Sequence, residues 1–234
     1  MAQQRAKPKT IRAVTKFDSA KKSISILPKT DKQEEYIKAI LGKDTQIVCF
    51  GPSGTGKTYV VSSLAASLYN EKKIKKIIIT RPHVEVGGEK IGFLKGDFRD
   101  KTEPWALPVL DVLEEHLGKG VVDTGIKNGN IEIAPVGMMR GRSFKETFII
   151  CDEAQNLTLS QLKMLLTRVG EDSKIIVSGD IMQSDLKVTD GLTTILGMVK
   201  KYGLPVPLIE FGVEDIVRSA FTRMWVEVFI KEKV

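Results

Sequence analysis

Cysteine, histidine and aromatic side chains are scarce in this chain, and long apolar runs are missing. Two cysteines and two histidines among 234 residues lack the spacing of a zinc site and are too few for a disulfide-stapled scaffold. Cys49 and Cys151 each close or flank a short apolar run, Gln46 to Phe50 and Phe148 to Cys151, that reads as a buried strand, so both are expected to be reduced core residues. Aromatics make up 6% of the chain, which argues against an extensive platform for stacking bases. No stretch reaches the roughly 18 apolar residues of a membrane span, and the N-terminal region lacks the apolar core of a signal peptide. A cytoplasmic protein with no membrane partner is expected.

Acid is scarce at one end only. Residues 1–22 carry seven basic side chains and a single acid, Asp18, out of a formal charge of +7 for the whole chain, so the remainder is nearly neutral. Residues 1–27 are therefore expected to form a basic arm, drawn to polyanions in a salt-sensitive way or acting as a solvated tail. The whole chain is 42% hydrophobic and 28% charged, and residues 28–234 read as one α/β domain with a real core.

Along that domain the pattern alternates between strands and helices. Thr30-Asp31-Lys32-Gln33 fits a capping box, followed by Tyr36, Ile37, Ile40 and Leu41 at helical spacing. Gln46 to Phe50 reads as a strand, about Lys57 to Tyr69 as a helix, and Ile74 to Thr80 as a strand buried on both faces. Arg81 to Leu117 reads as a long Gly/Pro-rich loop, helical only over Val109 to Leu117. Strands are expected at Ile131 to Pro135, on an edge, at Phe148 to Cys151 and at Lys174 to Ser178. A second capping box, Thr158 to Gln161, opens a helix running to Gly170. A helix near Leu192 to Lys201, a Pro-broken segment through Pro205 and Pro207, and a helix from about Glu214 complete the chain.

Three motifs carry chemistry. Gly51-Pro52-Ser53-Gly54-Thr55-Gly56-Lys57-Thr58 fits the P-loop pattern G-x-x-x-x-G-K-[ST] between a strand and a helix, the context that pattern needs. Its glycines let backbone N–H groups wrap a β-phosphate, the helix N-terminus adds its dipole, Lys57 neutralises β/γ charge, and the Thr58 hydroxyl ligates Mg²⁺. Phe148-Ile149-Ile150-Cys151 delivers Asp152 and Glu153 at a strand's C-terminal end, where ligands bind in open α/β sheets. Asp152 suits a water-mediated Mg²⁺ contact, and Glu153 suits the activation of an attacking water. Such a water disfavours a small-molecule kinase, which it would rob of nucleotide. The third strand ends in Gly179-Asp180-Ile181-Met182-Gln183, which brings Gln183 to the same edge to sense a γ-phosphate or leaves it as a loop amide. In P-loop ATPases with an additional strand, this strand lies between the other two, setting Cys49 and Cys151 roughly 9 to 10 Å apart, beyond disulfide reach.

These motifs, with TRPHVEVGGEKIGFLKGD (80–97), IAPVGMMRGRSF (133–144), FIICDEAQN (148–156) and LLTRVG (165–170) in order, make the chain resemble the PhoH-like family, P-loop ATPases related to superfamily 1 helicases. The likeness spans about residues 28–220 and departs from the family at Lys95, where proline is usual. It implies a RecA-like P-loop NTPase fold with a mostly parallel sheet, helices on both faces and a single motor domain, using ATP and Mg²⁺. It also implies that Gln33 reads adenine, against its capping-box role, and that Arg81 touches a nucleic-acid strand, against a loop-packing role. Arg140, Arg142, Arg168 and Arg218 are the candidates for an arginine finger. The sequence has room for one motor domain, so that finger is expected from a neighbouring copy in a closed ring, a hexamer by resemblance. The activity so implied is ATP hydrolysis coupled to binding, and to remodelling or translocation, of single-stranded nucleic acid, RNA favoured over DNA. The alternative is a nucleotide-dependent switch without motor activity.

Overall fold

The structure, a computed structural model, describes residues 26–82, 98–183 and 191–232. The basic arm up to residue 25, nearly all of the 80–97 stretch and Lys95 lie outside these residues. In chain order the elements are α1 (Asp31–Leu41), β1 (Gln46–Phe50), α2 (Lys57–Asn70), β2 (Lys76–Thr80), α3 (Phe98–Leu117), α4 (Lys119–Lys127), β3 (Ile131–Ile133), β4 (Thr147–Cys151), α5 (Leu159–Leu166), β5 (Lys174–Gly179), α6 (Gly191–Tyr202), β6 (Leu208–Glu210) and α7 (Ala220–Glu232).

The six strands form one parallel sheet in the order β3-β2-β4-β5-β1-β6. Side chains alternate between its faces. Ile47, Cys49, Ile77, Ile79, Phe148, Ile150, Ile176 and Ile209 join α1 to α4 in one apolar layer. Val48, Phe50, Ile78, Ile149, Cys151, Ile175 and Val177 join α5 and α6 in the other. Helices on both faces explain why these strands read as continuous apolar runs rather than alternating ones. β5 lies between β1 and β4 as expected. The two cysteines are thus separated by a strand and also face opposite layers, so they cannot pair.

Several elements differ from the sequence reading. α3 begins at Phe98 and runs through both Pro104 and Pro108, where a loop was expected up to Val109. Each proline removes one helical N–H, but Ala106, Val109, Leu110 and Leu113 bury an apolar stripe in the layer shared with α2, and packing overrides the local penalty. α4 occupies residues for which the sequence suggested no element; Gly125 lies so close to Ile131 that a Cβ there would meet its side chain at 2.8 Å. β6 forms where only a Pro-broken segment was expected, with Pro207 just before it on the sheet edge, where a missing N–H costs nothing. The last helix starts at Ala220, after a short 3-10 turn at Val213–Asp215, rather than at Glu214. The Thr158–Gln161 capping box is complete, although its helix ends at Leu166 rather than Gly170.

No helix among the described residues is long and apolar enough to cross a membrane. α7 buries none of its side chains. Phe221, Met224, Trp225, Val228 and Phe229 form an exposed stripe at helical spacing, with the Trp225 and Phe229 rings stacked at 5.7 Å.

Candidate nucleotide-binding site

The C-terminal ends of β1, β4 and β5 converge on one cleft of about 370 Å³, lined among others by Lys57, Thr58, Asp152, Glu153, Asp180 and Gln183. The loop from Gly51 to Gly56 forms its floor. Gly51, Gly54 and Gly56 hold φ of 136°, 83° and 85°, left-handed values that favour glycine. They also have no room for a Cβ: one on Gly51 would meet the Phe211 carbonyl at 2.3 Å, and one on Gly54 would meet Arg218 Cγ at 2.8 Å. Gly56 caps α2, whose first residue is Lys57, so the positive end of the helix opens into the cleft. Thr55 is fully buried, and its hydroxyl closes the loop by donating to the Pro52 carbonyl at 3.0 Å.

The charged side chains show what the cleft is built to receive. Lys57 Nζ donates to the Gly51 and Pro52 carbonyls at 2.7 and 2.8 Å, and burial pulls this ammonium below its ordinary pKa. Thr58 Oγ1 lies 3.2 Å from both carboxylate oxygens of Asp152, and Ser178 Oγ donates to Asp152 Oδ1 at 2.8 Å. Burial pushes Asp152 up, and the charge of Glu153 pushes it further, against the Ser178 hydrogen bond and the Arg81 charge. Asp180 is also pushed up by burial, while it accepts from the Ser53 N–H at 3.0 Å. A buried ammonium and buried carboxylates, each held away from its comfortable ionisation, fit a ligand that brings anion to one and divalent cation to the other. The hydroxyl and carboxylate donors are the hard oxygens that Mg²⁺ takes.

Glu153 stands at φ 55°, ψ 38°, an uncommon conformation for a non-glycine residue at the tip of a strand. Arg81 Nη2 donates to its Oε1 at 2.8 Å and Gln155 Nε2 to its Oε2 at 2.6 Å. Gln155 is almost fully buried, and its own Oε1 accepts from the Asp180 N–H at 3.0 Å. Gln155 escaped the sequence reading. Its signal was a polar side chain two residues beyond Glu153 in a stretch that the fold buries.

The other expected residues divide by position. Gln33 is buried beside the phosphate loop, but its side chain does not return to Thr30 as a full capping box requires. Thr30 Oγ1 accepts from the Gln33 N–H at 3.2 Å, while Gln33 Oε1 accepts from the Lys29 N–H and Nε2 donates to the Thr55 carbonyl, both at 2.8 Å. Gln183 lines the cleft at the end of a 3-10 turn, Ile181–Gln183. Arg218 lines the cleft of its own chain, next to Val217, whose N–H bonds the Gly54 carbonyl at 3.0 Å. Arg142 and Arg168 are not brought there. Arg142 makes a two-pronged pair with Glu132 of β3, and Arg168 donates to the Arg142 carbonyl at 3.1 Å. Arg140, at the end of the Val136–Met139 turn, is exposed.

A parallel sheet with a glycine-wrapped phosphate loop after β1 and a carboxylate pair after β4 defines a P-loop NTPase domain of the RecA-like class. The family model described as PhoH-like protein matches residues 25–230, and the chain belongs to that family. It is 41% identical to a PhoH-like protein of Bacillus subtilis over 90% of this chain and 66% of that protein. It is 42% identical to protein PhoH of Escherichia coli K12 over 83% of this chain and 55% of that protein. The chain thus spans about half to two thirds of the length of these relatives. Among solved structures it is similar to the Pif1 helicase of Candida albicans, with a TM-score of 0.45 and 14% identity over 87% of this chain and 44% of that one.

Proposed function

We propose that this domain binds ATP with Mg²⁺ and hydrolyses it, and that turnover is coupled to single-stranded nucleic acid, RNA favoured over DNA, in a cytoplasmic setting. The observation that carries the reading is the convergence of Lys57, Thr58, Asp152 and Glu153 on one cleft. In it, the loop N–H groups and Lys57 would hold the β- and γ-phosphates, and Thr58 and Asp152 would hold Mg²⁺, which when bound neutralises phosphate charge. Glu153 would take the proton of a water attacking the γ-phosphorus as the bond to the β-phosphate oxygen breaks, and Gln183 would contact the γ-phosphate. The strand side of the reading rests on the resemblance of the 80–97 stretch and on the basic arm.

The active form in this reading is a homo-oligomeric ring, a hexamer on family grounds. Arg142 and Arg168 are tied to Glu132 and to backbone, and Arg218 sits in its own cleft. The exposed Arg140 is therefore the best placed of the four to reach a neighbour's γ-phosphate. It follows β3, which lies four strand positions from β1, roughly 19 Å at ordinary spacing. A head-to-tail contact joins two such opposite sides. The uncovered apolar stripe on α7 supplies surface for contact between copies.

The test is ATP hydrolysis by the wild type and Glu153→Gln, with and without single-stranded RNA and DNA, across a salt series. Stimulation that fades with salt and is lost in the variant supports the reading. Slow turnover indifferent to either strand supports instead a nucleotide-dependent switch, which the engagement of Glu153 by Arg81 and Gln155 also suits.

A further inference from the structure

Both carboxylate oxygens of Glu153 are engaged, and the groups that engage them belong to a longer line. Arg81 uses its second nitrogen, Nη1, to donate to the Trp105 carbonyl at 2.9 Å. Trp105 lies in α3 between Pro104 and Pro108. A proline inside a helix removes an N–H and pushes nearby carbonyls out of line, so this is the turn where α3 most readily offers a backbone oxygen to an outside donor. In the other direction, Gln155 bridges Glu153 Oε2 to the Asp180 N–H, and Asp180 Oδ2 accepts from the Ser53 N–H. One hydrogen-bonded line therefore runs from α3 through Arg81, Glu153, Gln155 and Asp180 into the phosphate loop.

We propose that Arg81 is a positioning residue for Glu153, a latch that holds the carboxylate between α3 and Gln155 until the guanidinium is drawn away. While latched, Glu153 faces two fixed donors and is not free to turn onto a water at the γ-phosphate. A guanidinium is the side chain that best matches phosphate as well as carboxylate. A phosphodiester strand at the end of β2 competes with Glu153 for the same fork, and its binding releases the base. Arg81 is about a quarter exposed and Glu153 about a third, so the pair is open enough to be exchanged rather than sealed in the core. The trigger rests on the nucleic-acid-coupled reading given above; the latch itself does not.

The experiment is steady-state ATP hydrolysis by the full chain, with and without a single-stranded polyuridine oligonucleotide, for the wild type, Arg81→Ala and Arg81→Lys. In Arg81→Ala, kcat without the strand is expected to rise about three- to tenfold with KM for ATP within about twofold, and the ratio of stimulated to unstimulated rate to fall to near one. Arg81→Lys, which keeps the charge and loses the fork, is expected to fall between the two. A kcat at or below wild type with stimulation retained overturns the latch, as does a change confined to KM. Where thermal melting shows that Arg81→Ala does not fold, Arg81→Gln carries the same expectation. A wild type that turns over ATP but ignores the strand, beside a faster Arg81→Ala, overturns the coupling and keeps the latch. A stimulated wild type with no basal rise in the variant does the reverse. No turnover in any form overturns both.

Discussion

The Thr58 hydroxyl stands 3.2 Å from each of the two carboxylate oxygens of Asp152, although it has one proton to give. Oxygens that both bind an octahedral ion with bonds of ~2.1 Å lie ~3 Å apart, so this spacing suits two direct ligands of one ion better than one tight hydrogen bond. Thr58→Ala is expected to weaken ATP binding about tenfold or more with Mg²⁺ present, and to change it little in EDTA. Titration of a fluorescent ATP analogue under both conditions checks this. Equal losses with and without the ion would assign Thr58 to packing.

Glu153→Gln keeps the shape and removes the proposed base. Its kcat is expected to fall by about 10²- to 10⁴-fold with ATP affinity within a few-fold of wild type. The amide also turns an acceptor into a donor opposite Arg81 or Gln155, so the contacts to these residues weaken in the variant. Single-turnover rates beside equilibrium binding separate the two effects, and an unchanged rate would move the base elsewhere.

Gln33 has its amide occupied on both sides by backbone groups that can bond in one sense only, the Lys29 N–H as donor and the Thr55 carbonyl as acceptor. As it stands, it braces the phosphate loop. Gln33→Ala is expected to lower affinity for ATP and GTP by the same factor and to cost about 1 to 3 kcal/mol of stability through the buried groups left unpaired. Competition binding of the two nucleotides decides the matter, since a loss confined to ATP would mean that Gln33 turns to read adenine when the base arrives.

How much of this was legible in the sequence depends on whether a feature is local. The phosphate loop and the Asp152-Glu153 pair could be read because each is a short motif whose flanking apolar runs announce a strand or a helix. The position of β5 between β1 and β4 came with the class of fold. α3 could not be read, because Pro104 and Pro108 argue against a helix locally and the apolar face that outweighs them only matters once α2 is beside it. The Arg81–Glu153 pair joins residues 72 positions apart, and no spacing rule reaches that far. The four candidate arginines look alike in sequence. They part only in three dimensions, where Arg218 lies over Gly54 while Arg142 turns to Glu132.

The Glu132–Arg142 pair carries a prediction about pH. Hydrogen bonds from the Arg142 guanidinium, and then from Lys76, hold the Glu132 carboxyl at about 2, well below the usual carboxylate range, despite partial burial. A carboxyl that is more acidic in the folded chain than in the unfolded chain contributes stability once it is ionised in both states, above its ordinary pKa of about 4.3. That contribution fades as pH falls from there through the folded value near 2. Glu132→Gln is therefore expected to melt below wild type at pH 7, with the gap closing progressively between about pH 5 and pH 2. Both partners are partly exposed, so salt should shrink the gap at neutral pH as well. Thermal melts of the two proteins across that range check the sign, and a gap that stays constant with pH would mean that the glutamate acts through packing and not through its charge.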